Sequence, residues 1–170
     1  MTLERRSYAS PATVPGEKGD CSVRALMVAA CIDYAKAHAL CKAAGRVNGN
    51  GFSTDGMGRA VRAAVPDATF MMQAPVVSTH TVSRYRWYSY ATPVEVSRRK
   101  YPSLAKFLEE HPRGHYVVNV PGHYVAVVDG AVHDWGRWTM AARRGAIGHN
   151  DEGARHAGLR RGVIMYWRLV

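Results

Sequence analysis

Val120-Pro121-Gly122-His123-Tyr124-Val125-Ala126-Val127-Val128-Asp129-Gly130-Ala131-Val132-His133-Asp134-Trp135 is the stretch whose reading decides the fold. An apolar run follows His123, Asp129-Gly130 is a two-residue hairpin signal, and a second run returns. Taking Asp129 and Gly130 as the turn, Val128 opposes Ala131, Val127 opposes Val132, and Val125 opposes Asp134. Side chains alternate across a strand, so His123 shares a face with Val125. Asp134 is then its diagonal neighbour, roughly 7–8 Å away between backbones and within side-chain reach. His133 falls on the opposite face. Parity therefore selects Asp134, and not His133, as the carboxylate able to hold the imidazole of His123.

Outward from this hairpin, further strands are predicted near Tyr116–Val120 and Val163–Leu169, with a short one at Phe70–Met72. The segment from Val76 to Tyr90, rich in Thr, Val, Ser and Tyr, reads as a hairpin or extended arm, bounded at 76–91. The first half of the chain follows a different period. Val23, Leu26, Met27 and Ala30 give one buried helical face starting at Asp20 or Cys21. Asp33 is placed to cap a second helix through Tyr34, Ala37, Leu40 and Cys41, ending before Gly45. Ser53 or Thr54 caps a third through Val61, and Ser103 a short fourth with Leu104, Phe107 and Leu108. Residues 1–19, with Pro11, Pro15, Gly16 and Gly19, read as an extended surface leader. Helices followed by mostly antiparallel strands make an α+β domain, and residues 1–170 hold no internal repeat or domain boundary.

Gly19-Asp20-Cys21-Ser22-Val23-Arg24-Ala25-Leu26 carries the second functional signal. A cysteine at a helix N-terminus sits beside unpaired backbone N–H groups in the positive end of the helix dipole. That setting favours the thiolate, which is the nucleophile. A histidine positioned by a carboxylate is the matching base, since the carboxylate fixes the tautomer and supports the imidazolium. Cys21, His123 and Asp134 are the candidate catalytic residues. Cys31, on the same helix beyond its buried face, and Cys41, in a helical pattern, read as structural. No pairing among His111, His115, His149 and His156 suggests a metal site, and no cofactor is called for.

The order Cys, His, Asp resembles papain-like cysteine peptidases, particularly small members similar to bacteriocin-leader processing peptidases. There a helix-leading Cys is followed far downstream by Gly-His-Tyr/Phe-Val-x-Val and then Asp, as in Gly122-His123-Tyr124-Val125-Ala126-Val127 and Asp134. Asp20-Cys21-Ser22 also looks like the nucleophile motif of cell-wall endopeptidases in that clan. Uncharacterised bacteriophage proteins share the nearest layout: an Asp-Cys-x-x-Arg-Ala start, a histidine strand, an Asp-Gly turn and an Asp. The resemblance covers about a third of the chain and implies N-terminal helices packed on a mostly antiparallel sheet. It implies a peptidase, amidase or deamidase acting on a protein or peptide substrate. One departure stands out. The family commonly places a Gln several residues before the nucleophile to donate to the oxyanion, and 14–20 contains none. Losing one such donor typically costs about 100- to 1000-fold in rate. A papain-like binding module, acting as a phage host-interaction or virion protein, is the alternative.

The formal charge of +10 in 170 residues suits acidic partners. Much of the excess lies late, in Arg137, Arg143, Arg144, Arg155, Arg160 and Arg161, and Arg84 to Tyr90 interleaves basic and aromatic residues. Nucleic acid binding through this basic surface is a second alternative. The three cysteines lie ten apart, a spacing that fits neither a zinc knuckle nor a redox pair. No stretch resembles a signal peptide or a membrane span. A cytoplasmic protein is expected, in the host cytoplasm or the virion if phage-encoded.

Overall fold

A computed structural model describes residues 14, 17, 19–86, 89–133 and 161–170, apart from the side chains of 80–99. Among the described residues, four helices precede or interrupt seven strands: α1 (Cys21–Ala29), α2 (Tyr34–Ala43), α3 (Thr54–Ala64), β1 (Thr69–Met72), β2 (Val76–Arg86), β3 (Ser89–Lys100), α4 (Leu104–Glu110), β4 (His115–Val120), β5 (His123–Val128), β6 (Ala131–His133) and β7 (Met165–Arg168). The α+β class follows directly. Strands β1, β7, β4, β5 and β6 form one antiparallel sheet in that order. No helix among the described residues is long and apolar enough to cross a membrane.

Strand parity explains why β4 and β5 are apolar almost throughout. Val117, Tyr124, Ala126 and Trp167 point to a core shared with α1, α2 and α3. Their neighbours Tyr116, Val118, Val125, Val127 and Tyr166 point the other way, onto Leu104, Phe107 and Leu108 of α4. A sheet covered on both faces leaves no solvent side for polar residues to occupy. Phe107 lies edge-on to Tyr116 and Tyr166, with ring centroids 5.4 and 4.9 Å apart, an arrangement that aromatic quadrupoles favour.

The caps anticipated at Asp33, Ser53 and Ser103 are all formed, each side chain accepting a backbone N–H three residues on. The end of α1 differs from expectation. α1 stops at Ala29, and Ala25 and Ala29 are fully buried while Met27 and Ala30 are only partly so. Cys31 therefore lies past the helix, in the left-handed region at φ 53°. Its amide bonds Val28 O and that of Ile32 bonds Met27 O, the paired pattern of a Schellman cap. α2 ends in the same way, with Gly45 at φ 95° and the Arg46 amide on Cys41 O. This turn sends Arg46 back beneath the start of α1.

The hairpin register is that read from the sequence: Val128 pairs with Ala131 and Val127 with Val132 across Asp129-Gly130. Both turn residues have positive φ, 47° and 75°, as a type I′ turn requires. The arm of β2 and β3 forms a separate two-stranded sheet that runs on to Lys100, well past the anticipated limit at residue 91.

Candidate active site

α1 opens without a side-chain cap, because the carboxylate of Asp20 is used elsewhere. Its Oδ2 accepts from Arg24 Nε and from the Tyr34 hydroxyl, both at 2.9 Å. Among the first amides of α1, that of Ser22 faces the Cys21 sulfur. Burial pushes the Cys21 thiol up, yet its acidity is net increased. A hydrogen bond from the His123 side chain and the charge of that imidazole pull it down, helped by the backbone N–H groups of Tyr124 and Ser22. A half-buried thiol held among such donors carries thiolate character.

His123 reaches this position from the first residue of β5. Register gives it the parity of Val125 and Val127, which face α4, whereas Cys21 belongs to the opposite layer. The two meet at the end of the sheet where β5 begins, with His123 its first residue. The preceding turn combines φ-locked Pro121 with Gly122 at +72°, the type II pattern, and Arg161 Nη1 donates to Pro121 O at 3.1 Å. Gly122 and Gly19, at +70°, flank the pair, and a side chain at either would meet nothing within 4 Å among the described residues.

Beneath the helix start lies a buried polar cluster that sequence reasoning missed. Arg46 donates to both carboxylate oxygens of Glu17, at 2.8 and 2.7 Å, and its Nε donates to Ser22 Oγ at 3.2 Å. His38 Nε2 lies 3.0 Å from Glu17 Oε2, and the Gly49 amide donates to Oε1 at 3.2 Å. Glu17 was expected on a surface leader but is buried, because its carboxylate is the counter-charge of Arg46. Arg46 grips Ser22, whose own amide faces the Cys21 sulfur, so the ion pair fixes one donor of the site.

The Arg46 guanidinium holds the Glu17 carboxyl at about 2, against an ordinary 4.5. A carboxyl depressed on folding contributes stability in full above the unfolded value and loses it as pH falls through the folded one. Stability is therefore expected to decline between about pH 4.5 and 2, and Glu17→Gln to remove that part of the dependence. Urea midpoints measured across this range check it. An unaltered acid limb in the folded variant would refute the assignment.

The other two thiols are set apart. Cys41 is fully buried in α2, and burial pushes its thiol up to about 12, as expected of a core cysteine. Cys31 is exposed, with its sulfur 3.7 Å from His115 Nδ1, and that nitrogen lies 3.0 Å from Ala29 O at the end of α1. Donation by Nδ1–H to this carbonyl makes His115 a C-terminal cap of α1.

Of the three anticipated residues, Cys21 and His123 are brought together. Asp134 lies outside the described residues. The ladder that would set it opposite Val125 is formed through His133, and His133 is buried and paired in register with Ala126 on the α1 face. The late arginines of the anticipated basic surface, Arg161 apart, also lie outside the described residues. No known protein family, no curated protein and no solved structure matches the chain.

Proposed function

We propose that the protein is a thiol-dependent acyl-transfer enzyme with a papain-like domain, using Cys21, His123 and Asp134. The observation that carries this reading is the hydrogen bond of His123 to the Cys21 thiol at the uncapped start of α1. His123 takes the thiol proton, and the thiolate attacks the carbonyl carbon of a peptide or amide substrate. The backbone N–H groups at the start of α1 stabilise the oxyanion, compensating in part for the missing glutamine. The tetrahedral intermediate collapses, the C–N bond breaks, and His123 protonates the departing amine. Water, deprotonated by His123, then cleaves the thioester and releases the acid. Asp134 accepts the second ring N–H and supports the imidazolium.

Alkylation by iodoacetamide tests the pair. Cys21 is expected to react with a pH profile shifted below that of an ordinary thiol, and Cys41 to stay unmodified in the folded protein. His123→Ala leaves only the backbone N–H groups of Tyr124 and Ser22 to oppose burial, so the thiol rises and its labelling near neutral pH falls tenfold for each unit of that rise. Peptide mass mapping of time courses separates the three sites. Equal rates at Cys21 with and without His123 would sink the reading. Fast alkylation with no turnover of any acyl substrate would instead favour the binding module.

A further inference from the structure

The β2–β3 ribbon stands apart from the domain. Ten residue pairs join its strands, from Val76 with Lys100 to Arg86 with Ser89, and neither strand joins the five-stranded sheet. A two-stranded ribbon is at best marginal in water by itself. At its base Val76 and Val77 are 68% and 58% exposed, beside exposed Met71 and Met72 of β1. Such a surface has an occupant to find.

Its charge says which. Residues 76–100 contain Arg84, Arg86, Arg98, Arg99 and Lys100 against the single acid Glu95, a net of +4. The register gathers the five cations at the two ends. Arg98, Arg99 and Lys100 lie opposite Ser78, Val77 and Val76, while Arg84 and Arg86 lie at the other end, and Glu95 pairs with Thr81 between them. About eight residue steps at ~3.3 Å separate the groups by roughly 26 Å. Two copies of so positive a ribbon repel one another, which disfavours self-association. Two charge clusters at fixed spacing suit a rigid polyanion, and a two-stranded ribbon is narrow enough for a B-DNA major groove about 12 Å wide.

We propose that the β2–β3 ribbon is an arm that binds duplex DNA through its phosphate backbone. Binding is non-specific and independent of the thiol chemistry. With five phosphate contacts, affinity falls with salt at a log–log slope of about −4.5, roughly 500-fold between 50 and 200 mM.

Fluorescence anisotropy of a labelled 20-base-pair duplex with the full-length protein tests this. The expected result is steeply salt-dependent binding, with the slope reduced by about three in the R98S/R99S/K100S variant and by about two in R84S/R86S. Melting temperature and Cys21 alkylation should not change, since neither β2 nor β3 joins the five-stranded sheet. The proposal is overturned by absent or salt-insensitive binding, or by unchanged slopes in both folded variants. It is also overturned if anionic phospholipid vesicles or acidic polypeptide compete for the protein while duplex DNA does not.

Discussion

Cys21→Ser is expected to leave the fold intact and to lower turnover by roughly a millionfold, the scale at which a nucleophile that acts as a unit with its base is missed. The substitution is close to isosteric and the site is only half buried, so packing beneath α1 is undisturbed. What disappears is the ionisation. The interactions that favour a thiolate at this position are too weak to ionise a hydroxyl, whose intrinsic acidity is far lower. His123→Ala should fall nearly as far, and the double variant scarcely further, because each residue is useless without the other. Release of a fluorogenic amine from a peptide library, with melting curves run alongside, makes the comparison. Activity within tenfold of the parent in a folded C21S protein would refute the nucleophile assignment.

Arg46→Met should be the most damaging single change to stability, by about 3–5 kcal/mol, because it strands the Glu17 carboxylate in the interior. Glu17 and Arg46 have side chains 0% and 1% exposed, so water cannot replace the lost partner. For a domain of this size the melting temperature should fall by about 6–20 °C. Removing both partners in R46M/E17M should recover part of the loss, since no orphaned charge remains. A double variant no more stable than R46M would show that packing, and not charge pairing, sets the cost. R46M should also slow Cys21 alkylation in the protein that remains folded, because Ser22 loses its anchor.

The elements with a hydrophobic period were legible in the sequence. The core helices, the capping residues and the hairpin around Asp129-Gly130 all obey local rules, and local rules leave local signals. β3 left none for its second half, because a strand that builds no core has no apolar alternation, and Pro93 and the Arg98-Arg99-Lys100 run argue against one. The α1 boundary was overrun since Ala30 and Cys31 fit a helical pattern, while the left-handed turn that stops the helix uses cysteine where glycine would have advertised it. The pairing of Cys21 with His123 was readable because each sits at the start of its element. The support from Glu17 and Arg46 was not. Charged residues in irregular segments read as surface, and only the turn after α2 shows that Arg46 is directed inward.

The position of β7 has a consequence for how the protein comes into being. It lies between β1 and β4, so the strand made after the other four of its sheet occupies a place inside that sheet. On a ribosome adding roughly 5–20 residues per second, the hairpin of β4 and β5 emerges some seconds before its neighbour. Until then Trp167, which closes the core beneath α3 and against Tyr124, is not yet in place. The core that carries α1 therefore stays incomplete until residues 165–168 have been made.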